Sequence, residues 1–338
     1  MHASDEIRGL SLRFSITVPA TSANLGPGFD AVGVALGLHV HAEVEPAEAF
    51  ELSFLPGSYM PTHTGFNDVI VAAMKRIAPE LPAVRVRVTN EIPLGKGLGS
   101  SAAAVVLGLV IASRAHGVDF SRRKLAHLAA EIEGHPDNAL PAIFGGAVIA
   151  AMSTRREEAI ASTEPPEHAE LSFVRIPVGE RLRALLIVPE FDFATAQARA
   201  LLPDSYTRAD VIFTAQRAAL LGAALGSSSW EMLREAMQDR IHQPYRAPEI
   251  PGMVEALEVR SPHVFGIALS GAGPSVLALC DAHAPWRDVA KELLACFTRA
   301  GTSAKTYWLP ISGEGYAIDV HHDANDSLAL MSRTMESL

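Results

Sequence analysis

Gly95, Gly97 and Gly99 alternate along the chain, Ser100 and Ser101 follow, and a run of small apolar residues begins at Ala102. The spacing predicts a helix over 102–112, with Ser100 or Ser101 as its N-cap. A glycine loop that opens a helix gathers free backbone N–H groups and the positive end of a helix dipole at one point. Phosphate binds there without a cationic side chain. Glycine lets the backbone approach the anion closely and permits positive φ. A serine hydroxyl at such a mouth can ligate a metal ion that bridges phosphates. Two familiar phosphate loops do not fit. A Walker A loop places lysine directly after its last glycine, whereas Lys96 sits among the glycines. A dinucleotide fingerprint needs Gly-x-Gly-x-x-Gly and an acid about 20 residues later. Here the third glycine is misplaced, and no acid falls between Ser100 and Val118. Taken alone, the loop suits a plain turn before a core helix equally well.

Two further segments bear on the choice. One runs Val18-Pro-Ala-Thr-Ser-Ala-Asn-Leu-Gly-Pro-Gly-Phe-Asp30 and continues to Ala35. The other is Gly266-Ile-Ala-Leu-Ser-Gly-Ala-Gly-Pro-Ser-Val-Leu-Ala-Leu279. With the central loop they resemble, in order, the three signature motifs of the galactokinase, homoserine kinase, mevalonate kinase and phosphomevalonate kinase superfamily. The resemblance covers about 14–310. Within the superfamily the chain is most similar to the homoserine kinase family. That likeness rests on residues 19–30, on Glu133-Gly-His-Pro-Asp-Asn138, on Thr195-Ala-Gln-Ala-Arg199 before Leu202-Pro203, and on Gln243-Pro-Tyr-Arg246.

The resemblance implies an α+β, two-domain small-molecule kinase fold. A ribosomal-S5-like, ATP-binding N-terminal domain would cover 1–160, and a ferredoxin-like C-terminal domain 161–338, with the active site between them. It implies ATP-dependent phosphorylation of the L-homoserine hydroxyl to O-phospho-L-homoserine, a step of threonine biosynthesis. It puts ATP on Asn67 and on Pro93, Leu94, Gly95, Lys96, Gly97, Leu98, Gly99, Ser100, Ser101, Ala102 and Ala103. It puts Mg2+ on Ser101 and Glu133, with Glu131 as the rival ligand. By itself, an asparagine opening a helix, such as Asn67, reads as an N-cap.

The implied acceptor is a small zwitterion, so its pocket needs both signs of charge. Asp30 would take the ammonium group. Arg199 and Arg246 would fork onto the carboxylate, a match of guanidinium geometry. Thr195 precedes Arg199 by one helical turn and shares its face. Asn24, His135 and Asn138 would hold the reacting hydroxyl. The catalytic roles thus fall on Asn24, Asn138 and Glu133. Without the resemblance, Asn24 and Asp30 read as loop residues bonding their own backbone, and the two arginines as surface charges. Asp137 adjoins Asn138, but the expectation is a reaction without a dedicated base, the hydroxyl proton leaving late, to phosphate. L-Threonine has the shape to compete for the pocket, and members of the family are commonly homodimers. A kinase for mevalonate or a sugar, and a sensor that binds without turnover, are the alternatives.

Composition sets outer limits. The 338 residues are 49% apolar and 20% charged, enough for one large or two medium cores. A net charge of −10 argues against a nucleic-acid binder. Cys280 and Cys296 imply no disulfide framework and lack metal-ligand spacing. The start of the chain, with Asp5 and Glu6 and no long apolar stretch, does not read as a signal peptide. The longest apolar run is about half a membrane span. The expectation is a cytoplasmic protein without a membrane segment.

The elements that must position these residues follow from periodicity. Strands are expected over 14–18, 32–44, 84–89, 147–152 and 182–188, and residues 267–270 and 276–279 flank the last glycine turn. Helices are expected over 67–77, 124–131, 210–225 and 229–237, besides the one after the glycine loop. Residues 21–29 read as a loop and 134–138 as a turn. The polar stretch 153–169 reads as a domain border and 1–12 as a loose leader. His321 and His322, with Asp319 and Asp323, read as a solvated stretch, followed by a short helix over 327–335 for subunit contact.

Overall fold

The computed structural model describes residues 13–59, 65–152 and 171–321. The leader, the polar border and the helix over 327–335 lie outside the described residues. Strand β1 (Phe14–Asn24) forms a hairpin with the 19-residue β2 (Gly28–Pro46). The expected loop over 21–29 shrinks to a turn at residues 25–27. The reason is that pairing resumes after an irregularity at Pro19/Ala20 and runs on to Asn24↔Gly28. Strand β2 is long enough to serve two neighbours. Its first half pairs β5 (Ala147–Met152), and its second half pairs β4 (Val84–Asn90).

Strand β4 shows the alternation that makes a half-buried strand. Val84, Val86 and Val88 face the core, while Arg85 and Arg87 face outward and pair with Glu43, Glu45 and Glu51. Strand β3 (Glu51–Phe54) adds in parallel to β4. Two later strands complete this seven-stranded sheet: β6 (Leu171–Ile176) pairs β5, and β11 (Ala317–Val320) pairs β1. The larger sheet therefore draws two strands from beyond residue 160.

Helices α1 (Gly65–Ile77), α2 (Ser100–Ala115), α3 (Arg122–Glu133) and α4 (Ala139–Phe144) accompany that sheet. Every residue of α2 from 102 to 113 is buried, as an apolar run with no polar face requires. A Cβ on Gly108 would lie 2.4 Å from the Ile70 carbonyl oxygen, so the glycine lets α2 pack tightly on α1.

The smaller sheet has the order β10-β7-β9-β8 and is antiparallel throughout. Its strands are β7 (Leu182–Pro189), β8 (Val264–Leu269), β9 (Val276–Asp281) and β10 (Ala304–Pro310). The helices α5 (Thr195–Ala200), α6 (Arg208–Ser227), α7 (Leu233–Ala236), α8 (Gln243–Arg246) and α9 (Met253–Leu257) join β7 to β8, and α10 (Trp286–Arg299) joins β9 to β10. That βαββαβ order is the ferredoxin-like arrangement. Alternation along β7 divides two cores. Ala184, Leu186 and Val188 belong to the core of the larger sheet, whereas Leu185 and Ile187 pack with Leu293 and Phe297 of α10. The helix expected over 229–237 is split, with a 3₁₀ turn at Trp230–Met232 ahead of α7.

Candidate active site

The three glycine-bearing segments meet. Ser270 donates to the Gly97 carbonyl at 2.7 Å and shares a 2.8 Å hydrogen bond with the Ser22 hydroxyl. Ser275 donates to the Lys96 carbonyl at 2.6 Å. The Gly271 amide donates to the Ala23 carbonyl at 3.1 Å, and Asn24 Nδ2 donates to the Gly271 carbonyl at 2.9 Å. Gly97 has φ of 72°, and a Cβ there would lie 2.1 Å from the Ser270 carbonyl oxygen. Only glycine allows that approach.

A cavity of about 390 Å³ opens beside this junction. One end is the start of α2. Its N-cap is Gly99 in the left-handed conformation, and no side chain caps it. The expected serine cap is absent because Gly99 takes the cap position and both serines fall inside the first turn, where the Ser101 hydroxyl donates to Glu133 Oε1 at 2.7 Å. The first-turn amides are thereby left for an anion. Burial, set against the Ser101 hydrogen bond, raises the pKa of Glu133 above its ordinary value. Glu131 points elsewhere, to Arg76 at 3.3 Å.

The other end carries both signs of charge. Asp30 and Arg199 form a two-pronged ion pair, with hydrogen bonds of 3.1 and 2.9 Å. Arg246 is 2% exposed and donates to the Ala198 carbonyl at 3.1 Å. Burial first, then the nearby Arg199 charge, push its pKa down to about 10. His135 Nδ1 lies 2.6 Å from Asp137 Oδ1. Burial alone would lower the His135 pKa, but the hydrogen bond and charge of Asp137, with Asp30 behind them, prevail and raise it. Asn138 receives the Thr21 hydroxyl at 2.8 Å and donates to Asp137 at 3.2 Å.

Residues 68–146 match the model of the GHMP kinases N-terminal domain, and residues 221–301 that of the GHMP kinases C-terminal. A homoserine kinase of Desulfitobacterium hafniense is 38% identical over 309 residues, which span 90% of this chain and 99% of that protein. One from Thermus thermophilus is 40% identical over 305 residues, 88% of this chain and 96% of that protein. The chain belongs to the homoserine kinase family. Among solved structures, the homoserine kinase of Cytophaga hutchinsonii superposes with a TM-score of 0.75 at 23% identity, covering 92% of this chain and 99% of that one. Lactococcus lactis galactokinase complexed with galactose superposes at 0.60 and 15% identity, covering 92% and 97%. At those identities the likeness concerns the fold.

Seen as a member of this family, the chain brings most of its expected site residues to one cavity. Asn24, Asp30, Glu133, His135, Asn138, Thr195, Arg199 and Arg246 line it, with Gly95 and residues 97–101. Several expected residues stand apart. Lys96 turns away because its ammonium donates to the Phe191 carbonyl at 2.8 Å and meets Asp192 at 3.0 Å. Pro93 and Leu94 do not face the cavity, and Ala102 and Ala103 are wholly buried in α2. Asn67 lies in the first turn of α1, with its buried Oδ1 unpaired among the described residues. Asn24 is more committed to the backbone than expected. Besides its bond to Gly271, its Oδ1 receives the Asp30 amide at 3.0 Å.

Sequence reasoning missed three residues that shape the site: Phe29, Thr21 and Ser270. The Phe29 ring lies beneath both guanidinium groups, 5.9 Å from Arg199 and 5.2 Å from Arg246. All three sat inside the glycine-bearing segments, where the only available signal was their position.

Proposed function

We infer that the chain transfers the γ-phosphoryl group of ATP to the hydroxyl of L-homoserine, giving O-phospho-L-homoserine and ADP. The observation that carries this reading is the pairing, in one cavity, of an uncapped helix start with a cluster of opposite charges. The first suits a triphosphate and the second a zwitterion. A neutral sugar would leave the charges unanswered, and mevalonate has no ammonium group for Asp30.

In this reading the amides at Gly97, Gly99, Ser100 and Ser101 hold the phosphates. Asp30 receives the ammonium, Arg199 and Arg246 receive the carboxylate, and Thr195 lies beside them. His135 and Asn138 steer the hydroxyl toward the γ-phosphorus, while Asn24 holds the backbone that carries Asp30. A bond forms from the hydroxyl oxygen to phosphorus as the bond to the ADP oxygen breaks, and the proton leaves late, to the transferred group. Positioning and charge neutralisation supply most of the acceleration. The Ser101 hydroxyl and the Glu133 carboxylate form a pair of hard oxygen donors, a set that fits Mg2+. When bound there, the ion would neutralise phosphate charge. Asn67, with its unpaired oxygen, is the proposed adenine contact.

L-Threonine, which carries the same two charges, is the proposed competitor. A homodimer in the cytoplasm is the proposed setting. Among the described residues no helix is long and apolar enough to cross a membrane. The N-terminal half to about residue 160 is proposed as the ATP-binding part, completed by β6 and β11.

The test is ADP release from Mg-ATP with L-homoserine, L-threonine, mevalonate, galactose or no acceptor. Turnover with L-homoserine alone is expected. Turnover with a different alcohol would overturn the acceptor assignment, and binding without turnover would make the chain a sensor.

A further inference from the structure

His242 has no exposed surface and lies directly behind the charged end of the cavity. It stands at the N-cap position of α8, the short helix that ends in Arg246, without capping it through its side chain. Its Nε2 is 2.8 Å from the Gly26 carbonyl oxygen and 3.6 Å from Asp239 Oδ2. Both neighbours are acceptors, so Nε2 carries the hydrogen. A neutral ring then presents Nδ1 as an acceptor. Arg246 Nη1 stands 3.4 Å from that atom and donates toward it. Burial, reinforced by the Arg246 charge and opposed by Asp239, lowers the His242 pKa, which agrees with a neutral ring.

The same ring stacks on Phe29, with centroids 5.1 Å apart and planes 23° apart. His242 therefore grips the 26–29 stretch, the end of the hairpin turn and the start of β2, at both ends, and Asp30 is the next residue. Through its other nitrogen it touches Arg246. One side chain thus links the stretch bearing the acid to the helix bearing the guanidinium. The backbone at His242 has hydrogen bonds of its own. Asp239 accepts hydrogen bonds from the amides of Ile241, His242 and Gln243 at 2.9, 2.8 and 2.8 Å.

We propose that His242 is a positioning residue of the acceptor pocket, fixing the separation between Asp30 and Arg246. It rests on the reading that these two residues receive the two charges of L-homoserine. A neutral histidine with Nε2–H is the one ring state that satisfies the Gly26 carbonyl and still accepts from Arg246. A histidine that merely fills space would be replaceable by phenylalanine without effect on the acceptor.

The test compares His242→Phe and His242→Gln with the unmodified protein, reading KM for L-homoserine, KM for ATP, kcat and Tm. His242→Phe keeps the stacking and loses both hydrogen bonds. It should raise the L-homoserine KM about tenfold or more while the ATP KM stays within about twofold. His242→Gln can still donate to Gly26 and should recover part of the loss. A parallel rise in both KM values, or an unchanged L-homoserine KM, would overturn the proposal. Should His242→Phe fail to fold, His242→Gln carries the same KM comparison alone. In the unmodified protein, ¹⁵N NMR of the imidazole should show a protonated Nε2 and a bare Nδ1. A protonated Nδ1 would also overturn the proposal. Failure of the unmodified protein to phosphorylate L-homoserine would instead sink the functional reading, while the NMR spectrum would still test the ring state of His242 by itself.

Discussion

The Asp30 carboxylate and the Arg199 guanidinium satisfy each other through two hydrogen bonds, 3.1 and 2.9 Å long, in the lining of the cavity proposed to take the acceptor. A zwitterion can replace this pair, because its ammonium answers Asp30 as its carboxylate answers Arg199. A ligand with one charge opens the pair and strands one partner. Both side chains are more than a third exposed, so solvent softens that penalty to about 1–2 kcal/mol. 4-Hydroxybutyrate and 3-aminopropan-1-ol should each bind roughly tenfold or more weaker than L-homoserine in competition assays. Equal affinities would remove the ion pair from acceptor selection.

Arg246 differs from Arg199 in being buried and in holding the Ala198 carbonyl at 3.1 Å. Arg246→Ala should raise the L-homoserine KM strongly, leave the ATP KM nearly unchanged, and also lower Tm, because a buried carbonyl loses its donor. Arg246→Lys keeps the charge but not the planar fork. It should keep more of the Tm than of the L-homoserine affinity. A parallel rise in both KM values would deny Arg246 its carboxylate role.

Glu133 gives the pH dependence a sign. Burial raises its pKa above the ordinary 4.5, and the charged form is the one that can ligate a metal. Activity should therefore persist above that raised pKa and fall as pH drops through it. Extra Mg2+ competes with the proton and should move the acid limb of kcat/KM to lower pH. Glu133→Gln should lower kcat and abolish that shift. An acid limb indifferent to Mg2+ would move the ligand role away from Glu133.

Asp137 is 2% exposed, and its Oδ1 receives both His135 and Asn138. Such a carboxylate orients its neighbours. Asp137→Asn should reduce kcat by about tenfold at most and raise the L-homoserine KM, within the range of a lost charged hydrogen bond. Abolished turnover with both affinities intact would make it the general base.

Local pattern made some of the strands legible, while β3, β6 and β10 went unread. Strand β5 occupies 147–152 as its apolar run indicates, and β4 extends the alternation of 84–89 by one residue. Helix α10 went unread, although residues 289, 290, 293, 296 and 297 keep helical spacing and are the ones it buries. Strand β11 was not readable, because its four residues are mostly exposed and carry no alternation to detect. The start of α2 misled for a different reason. Serine is a good cap, but the left-handed Gly99 takes that position, and both serines fall inside the first turn, where the Ser101 hydroxyl meets Glu133, 32 residues away. In the site, residue types at Asp30, Arg199 and Arg246 announced charge recognition only beside the glycine segments. The Ser22–Ser270 contact spans 248 positions, and no local rule reaches that far.

The pairing of β11 with β1 bears on how the protein is made. Phe14 to Thr17 find their partners in Val320 to Ala317, almost a whole chain length later. During synthesis the outer edge of β1 must wait, with its amides and carbonyls open, until that late segment leaves the ribosome. An edge left open in this way invites pairing with a neighbouring nascent chain. Chaperones that guard exposed strand edges would therefore be expected to hold this protein until β11 arrives.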